Sequence, residues 1–205
     1  MQWHTDLPLI AILRGITPQE AVGHVSVLIE AGFKAIEVPL NSPQWQETLP
    51  LLIRQFGQQA LIGAGTVLTS QQVEQLSAMG CQLIVTPNTD PAVIQRAVAL
   101  EMVTYPGCAT ATEAFAALKA GAQGLKIFPS SAFGPDYIRA LTAVLPEHTS
   151  IFAVGGVTPE NLASWLAAGC CGAGLGSDLY RAGQPVSKTA HQAHAFVQAY
   201  KEAIV

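Results

Sequence analysis

The chain has 205 residues, half of them hydrophobic and 12% charged, with a formal net charge of −4 at pH 7. That length suits one large core and is short for two domains, and the balance is the reverse of what keeps a chain disordered. No basic stripe is present to neutralise phosphates, and no apolar run nears the ~20 residues that span a bilayer, so neither nucleic acid nor membrane is expected as a partner.

Short apolar runs alternate with longer stretches of helical period. LIAILRG (9–15) is the first run. Thr17-Pro18-Gln19-Glu20 then reads as a capping box with Pro18 at the first helical position, opening PQEAVGHVSVLIEAG. Gly32 closes that helix and leads into KAIEVPL (34–40), after which Ser42-Pro43 is expected to start the next helix. ALIGAGT (60–66) follows, and Gly80 introduces CQLIVTPN (81–88). Asp90-Pro91 reads as a helix start before MVTYPGC (102–108). ATEAFAALKAG ends at Gly121, ahead of GLKIFPS (124–130). SIFAVGG (150–156) is followed by Thr158-Pro159-Glu160, a helix start similar to that at Thr17, and Gly169 leads into GAGLGS (172–177).

That makes eight candidate strands. Continuous apolar strands joined by helices with one buried face imply parallel pairing, covered on both sides. Eight such units closing on themselves give a (β/α)₈ TIM barrel, an α/β fold. The four glycine junctions fall on alternate units, a weak repeat of two βα units. No linker or low-complexity tract interrupts the pattern, so a single domain over residues 1–205 is expected.

The start, MQWHTDLPLIAILRG, lacks a basic segment and a small-residue cleavage site, so a cytoplasmic location is the expectation. Cys81, Cys108, Cys170 and Cys171 form no C-x-x-C pair and are read as small buried thiols. His4, His24, His148, His191 and His194 are read as surface or core-edge residues. His191 and His194 share a helix face, but no further ligand lies nearby in sequence, so no metal is expected.

Charge is rare in this chain, and inside the strands it is confined to Arg14, Glu37 and Lys126, apart from Lys34 at the rim. A charge in a strand buried on both faces needs a reason. Alternation along Gly124-Leu125-Lys126-Ile127-Phe128 turns Lys126 and Phe128 toward the barrel axis. A low-dielectric site disfavours the ammonium and yields a free amine able to attack a ketone. Glu37 points inward by the same argument and suits proton transfer. The competing readings are a structural lysine paired with a carboxylate, and a buried ion pair of Glu37 with Lys126 or Arg14. Arg14 has the fork geometry for a carboxylate or phosphate, and Thr66 a hydroxyl that could bind the same ligand. Gly155-Gly156 and Gly176-Ser177 end the last two runs, where barrels of this class often bind phosphate; tight strand-to-helix turns are the plainer reading.

The motifs Glu37-Val38-Pro39-Leu40, GAGTVL (63–68), TPN (86–88), PGCATATEA (106–114), LKIFPSSAFGP (125–135) and VGGVTPEN (154–161) resemble the 2-keto-3-deoxy-6-phosphogluconate/galactonate aldolases over essentially the whole chain. Gluconate-type members carry E-V-T-L-R-T where this chain has Glu37-Val38-Pro39-Leu40-Asn41-Ser42, and tend to carry threonine at the position of Val154, so the galactonate branch is favoured. The resemblance implies a class I aldolase without cofactor or metal. Lys126 would form a Schiff base with a phosphorylated keto-deoxy sugar acid, and Glu37 would move protons through water. Arg14 and Thr66 would hold the pyruvyl carboxylate or nearby oxygens, and Gly155, Gly156, Gly176 and Ser177 the phosphate. The products would be pyruvate and glyceraldehyde 3-phosphate, and the assembly a homotrimer. A phosphate-binding isomerase or decarboxylase would not need the amine, and a non-catalytic sugar-phosphate binding protein should have lost Lys126 or Glu37.

Overall fold

The computed structural model describes residues 7–204, so His4 lies outside the described residues. The elements run β1 (Leu9–Ile12), α1 (Pro18–Ala31), β2 (Ala35–Pro39), α2 (Trp45–Phe56), β3 (Leu61–Gly65), α3 (Ser70–Ala78), β4 (Leu83–Val85), α4 (Pro91–Ala99), β5 (Val103–Tyr105) and β6 (Gly107–Cys108). They continue with α5 (Ala111–Lys119), β7 (Leu125–Ile127), α6 (Ser130–Thr142), β8 (Ile151–Val154), α7 (Leu162–Ala167), β9 (Gly172–Leu175) and α8 (Val186–Ala203). All strands pair in parallel, in the order β5-β4-β3-β2-β1-β9-β8-β7-β6.

The two ends of that order are one continuous stretch of chain, so the sheet curls into a barrel. The fifth expected strand, 102–108, appears as two because Pro106 has no N–H to continue a ladder. β5 pairs back to β4, while β6 pairs on to β7. The Pro106 carbonyl still accepts from the Lys126 N–H at 2.9 Å, which carries the closure across the break.

Alternation sorts the side chains into two cores. Ala11, Ile36, Val38, Ile62, Leu125, Ile127 and Leu175 pack outward under the helices. Ile10, Ala35, Leu61, Leu83, Val85, Tyr105 and Phe152 fill the barrel interior. Tyr105 and Phe152 meet edge to face, with ring centroids 4.8 Å apart. Gly124 makes room for them, since a Cβ there would lie 2.3 Å from Tyr105 Cε1. The inner core thus plugs one end, and the charged inward positions occupy the other.

Several helix starts follow the sequence. The Glu20 carboxylate accepts from the Thr17 N–H and hydroxyl, and Asp90 caps α4 by accepting from the Ala92 N–H at 2.9 Å. Gly32, Gly80, Gly121 and Gly169 all take positive φ. Two starts come later than expected. Ser42 does not open α2, which begins at Trp45; its hydroxyl instead accepts from the Gly15 N–H at 2.9 Å, tying the β2–α2 turn to the β1–α1 turn. After Thr158, residues 159–161 form a turn before α7, held by the Asn161 side chain accepting from the Thr158 N–H.

Two expectations about burial also change. His24 is 1% exposed, because α1 presents it to α8, where Nδ1 meets the Thr189 hydroxyl at 2.8 Å and the ring packs edge-on against Tyr180. Cys171 is exposed, whereas burial pushes the Cys81, Cys108 and Cys170 thiols up to about 12, far from thiolate chemistry. Among the described residues no helix is long and apolar enough to cross a membrane.

Candidate active site

The C-terminal ends of the strands open on a cavity of about 610 Å³. Arg14, Thr66, Lys126, Gly155, Gly156, Gly176 and Ser177 line it, so one mouth collects residues from five strand ends. Glu37 sits beneath that lining at 2% exposure, on β2, four strands round the barrel from β7 and Lys126.

Lys126 is 6% exposed, and its Nζ lies 4.8 Å from the centroid of the Phe128 ring. Burial pushes its pKa down; the Glu37 carboxylate opposes this, and the Arg14 charge adds to it. Burial raises Glu37 to about 7, against the pull of Lys126 and Arg14. Its Oε2 is buried without a hydrogen-bond partner, an orphan that native interiors rarely keep without a use. The carboxyl occupies space left by Gly65, where a Cβ would sit 1.3 Å from Oε2. The glycine that ends β3 therefore places the acid.

The structural-pair alternatives do not hold. Among the described residues the salt bridges are Arg96–Glu74 and Arg139–Asp136, both on the surface, and neither Lys126 nor Arg14 closes on Glu37. Arg14 instead donates through Nη1 to Asn41 Oδ1 at 2.6 Å and, more weakly, to Thr66 Oγ1 at 3.5 Å. Thr66 adopts φ 55, a left-handed conformation costly for a β-branched residue, of order 1–3 kcal/mol. That conformation keeps its hydroxyl at the mouth beside Arg14.

The glycine turns have their carbonyls bonded inside the protein. The carbonyls of Gly155 and Gly156 accept from the Ser131 N–H and Asn161 Nδ2, at 3.1 and 2.9 Å. Those of Gly176 and Ser177 accept from the Leu179 and Tyr180 N–H groups and from Arg181 Nε. With their acceptors engaged inside the protein, both turns offer donors to a ligand. Gly155 and Gly156 take φ 97 and 74, which side chains rarely adopt. Ser130, fully buried, links the lysine strand to these turns: its hydroxyl donates to the Ile127 carbonyl at 2.8 Å and accepts from the Val154 N–H at 3.0 Å.

Sequence reasoning missed Ser130, Asn41, Asp178 and Arg181. The last two line the cavity from the loop after β9. The only sequence signal was a charged pair just beyond Gly176-Ser177, on a loop whose path periodicity does not reveal. Chemically, the mouth combines a desolvated amine, a cation with a hydroxyl, and glycine turns, above a buried carboxyl that burial raises to about 7.

A family model for KDPG and KHG aldolase matches residues 2–193. The chain is 68% identical, over 204 residues covering 100% of both proteins, to the 2-dehydro-3-deoxy-6-phosphogalactonate aldolase of Escherichia coli (strain K12). A solved native KDPGal structure superposes with a TM-score of 0.97 at 68% identity, covering 100% of this chain and 99% of that one. The 2-keto-3-deoxy-6-phosphogluconate aldolase of Zymomonas mobilis ZM4, solved with 3-phosphoglycerate, gives 0.85 at 25% identity, covering 95% and 92%.

Proposed function

The chain belongs to the KDPG and KHG aldolase family, and on that basis we propose that it cleaves 2-dehydro-3-deoxy-6-phospho-D-galactonate to pyruvate and D-glyceraldehyde 3-phosphate. It is an aldolase, a carbon–carbon lyase. The observation that carries the reading is the buried Lys126 amine, coupled in charge to a buried Glu37 carboxyl whose Oε2 has no hydrogen-bond partner.

The neutral Lys126 amine adds to the C2 ketone, and protonated Glu37 gives its proton to the carbinolamine hydroxyl, which leaves as water to give an iminium and a Glu37 carboxylate. This cation is the electron sink, so the reaction needs no metal or cofactor. Glu37 takes the C4 hydroxyl proton through water, the C3–C4 bond breaks, and its electrons pass to the iminium as an enamine. Glyceraldehyde 3-phosphate leaves from C4–C6. Glu37 returns the proton to C3, and water hydrolyses the new iminium to pyruvate and free lysine. A carboxyl near 7 can both accept and donate at neutral pH, which these reciprocal steps require.

Arg14 and Thr66 hold the pyruvyl carboxylate; Gly155, Gly156, Gly176 and Ser177 hold the phosphate. Val154 lines the cavity beside the glycine turn and selects the galactonate configuration at C4. Residues 1–205 then form one domain, and the family resemblance implies a homotrimer in the cytoplasm.

The test is reductive trapping. Incubation with pyruvate and sodium borohydride, followed by peptide mass spectrometry, should give a stable adduct on Lys126. A folded protein that yields no adduct, or one on another lysine, overturns the mechanism.

A further inference from the structure

Arg181 lines the cavity, yet no step above uses it. Its Nε donates to the Ser177 carbonyl at 2.9 Å, which fixes the guanidinium against one of the two donor-rich turns. Neither Nη atom has a protein partner among the described residues. Asp178 lies on the same turn and also lines the cavity, but it accepts from the Ser177 hydroxyl at 3.3 Å rather than bridging to Arg181. Arg14, the other arginine of the mouth, is anchored through Nη1 to Asn41 and Thr66 and is already assigned to the pyruvyl carboxylate.

A monoester dianion at Gly155–Gly156 and Gly176–Ser177 meets oriented N–H groups, whose partial charges fall short of two units. A guanidinium held by its Nε, with both Nη groups open, has the fork geometry that phosphate oxygens match. We propose that Arg181 is the cation that recognises the substrate's phosphate, and that the Arg181–Asp178 loop sets the preference for phosphorylated over unphosphorylated acceptors. This rests on the aldolase reading and adds a residue to it. Asp178 contributes the opposite sign: its carboxylate repels the same dianion, so the site's affinity reflects the balance of the two.

The experiment compares aldol synthesis from pyruvate with glyceraldehyde 3-phosphate against synthesis with glyceraldehyde. The readout is the ratio of the two kcat/KM values. Arg181→Ala should lower that ratio roughly tenfold, the scale of one charge-assisted contact at an open site, mainly through KM for the phosphorylated aldehyde. Arg181→Lys should recover part of it, because charge returns without the fork. Inorganic phosphate should compete with glyceraldehyde 3-phosphate in the unmodified enzyme and lose potency in Arg181→Ala. An unchanged ratio overturns the inference, including when both rates fall together, since that pattern marks a loop-packing role. Failure of the aldolase reading is seen separately, as wild-type protein that forms no Lys126 adduct with pyruvate.

Discussion

Gly65 gives the sharpest test of how the barrel positions its acid. A Cβ at this residue would lie 1.3 Å from Glu37 Oε2, 2.4 Å from Cδ and 2.9 Å from Oε1. No such contact survives, so Gly65→Ala must displace the carboxyl. The backbone at Gly65 is not in the left-handed region, so alanine adds no strain of its own. What moves is the far end of a side chain, and the destabilisation should be modest, about 1–3 kcal/mol as for other overpacking. The catalytic loss should be much larger if the displaced group is the proton shuttle proposed above, because misplaced acid–base groups cost on the order of 10²–10⁴ in rate. Thermal unfolding and steady-state cleavage should therefore disagree: a small drop in Tm beside a fall in kcat of about a hundredfold or more. A double-mutant cycle completes the argument. Adding Gly65→Ala to Glu37→Gln should cost little further activity, because both changes remove the same function. Wild-type kcat in Gly65→Ala would refute the reasoning, since the working carboxyl would then not rest against Gly65.

Three further outcomes are expected. Glu37 has a folded pKa near 7 against 4.5, so the folded state binds the extra proton between those values and stability from this group is lost as pH rises from about 4.5 to 7. Glu37→Gln should accordingly gain on wild type across that window, by an amount on the order of 3 kcal/mol; urea unfolding at pH 4.5 and 8 measures it, and a constant difference contradicts the shift. Val154→Thr should relax C4 stereoselectivity, read as the ratio of galactonate to gluconate products in aldol synthesis, and an unchanged ratio counts against Val154 as the discriminator. Ser130→Ala leaves the buried Val154 N–H without its acceptor; denaturant unfolding should show a loss of about 1–3 kcal/mol, and a neutral effect would mean that the β7–β8 link is dispensable.

Much of this protein is legible in one dimension because its governing rules are local. Period-two alternation placed Lys126 and Glu37 inside the barrel while Leu125, Ile127, Ile36 and Val38 went to the outer core. Capping chemistry, which spans three or four residues, located the starts at Thr17 and Asp90. The cost of burying charge marked Lys126, Glu37 and Arg14 as the residues needing an explanation.

What failed was long-range. Local sequence points to Ser42 as a cap, and the partner it finds instead, the Gly15 N–H, is distant in sequence. His24 reads as a surface or core-edge residue in the sequence because the face of α1 it occupies is covered only once α8 packs there. The 102–108 run became two strands because barrel closure asks it to pair with different neighbours on either side of Pro106. Arg14 was open to Glu37, a carboxylate or a phosphate, and folding gave it Asn41 and Thr66. Arg181 entered the cavity through a loop that carries no periodic signal. The sequence by itself determined the barrel, the inward amine and the inward acid, since strand alternation and burial cost act within a few residues. Only the tertiary structure decided that the two stay unpaired, that Gly65 leaves the space the acid occupies, and that Arg181 joins them, because those facts depend on which strand ends and loops meet at one mouth.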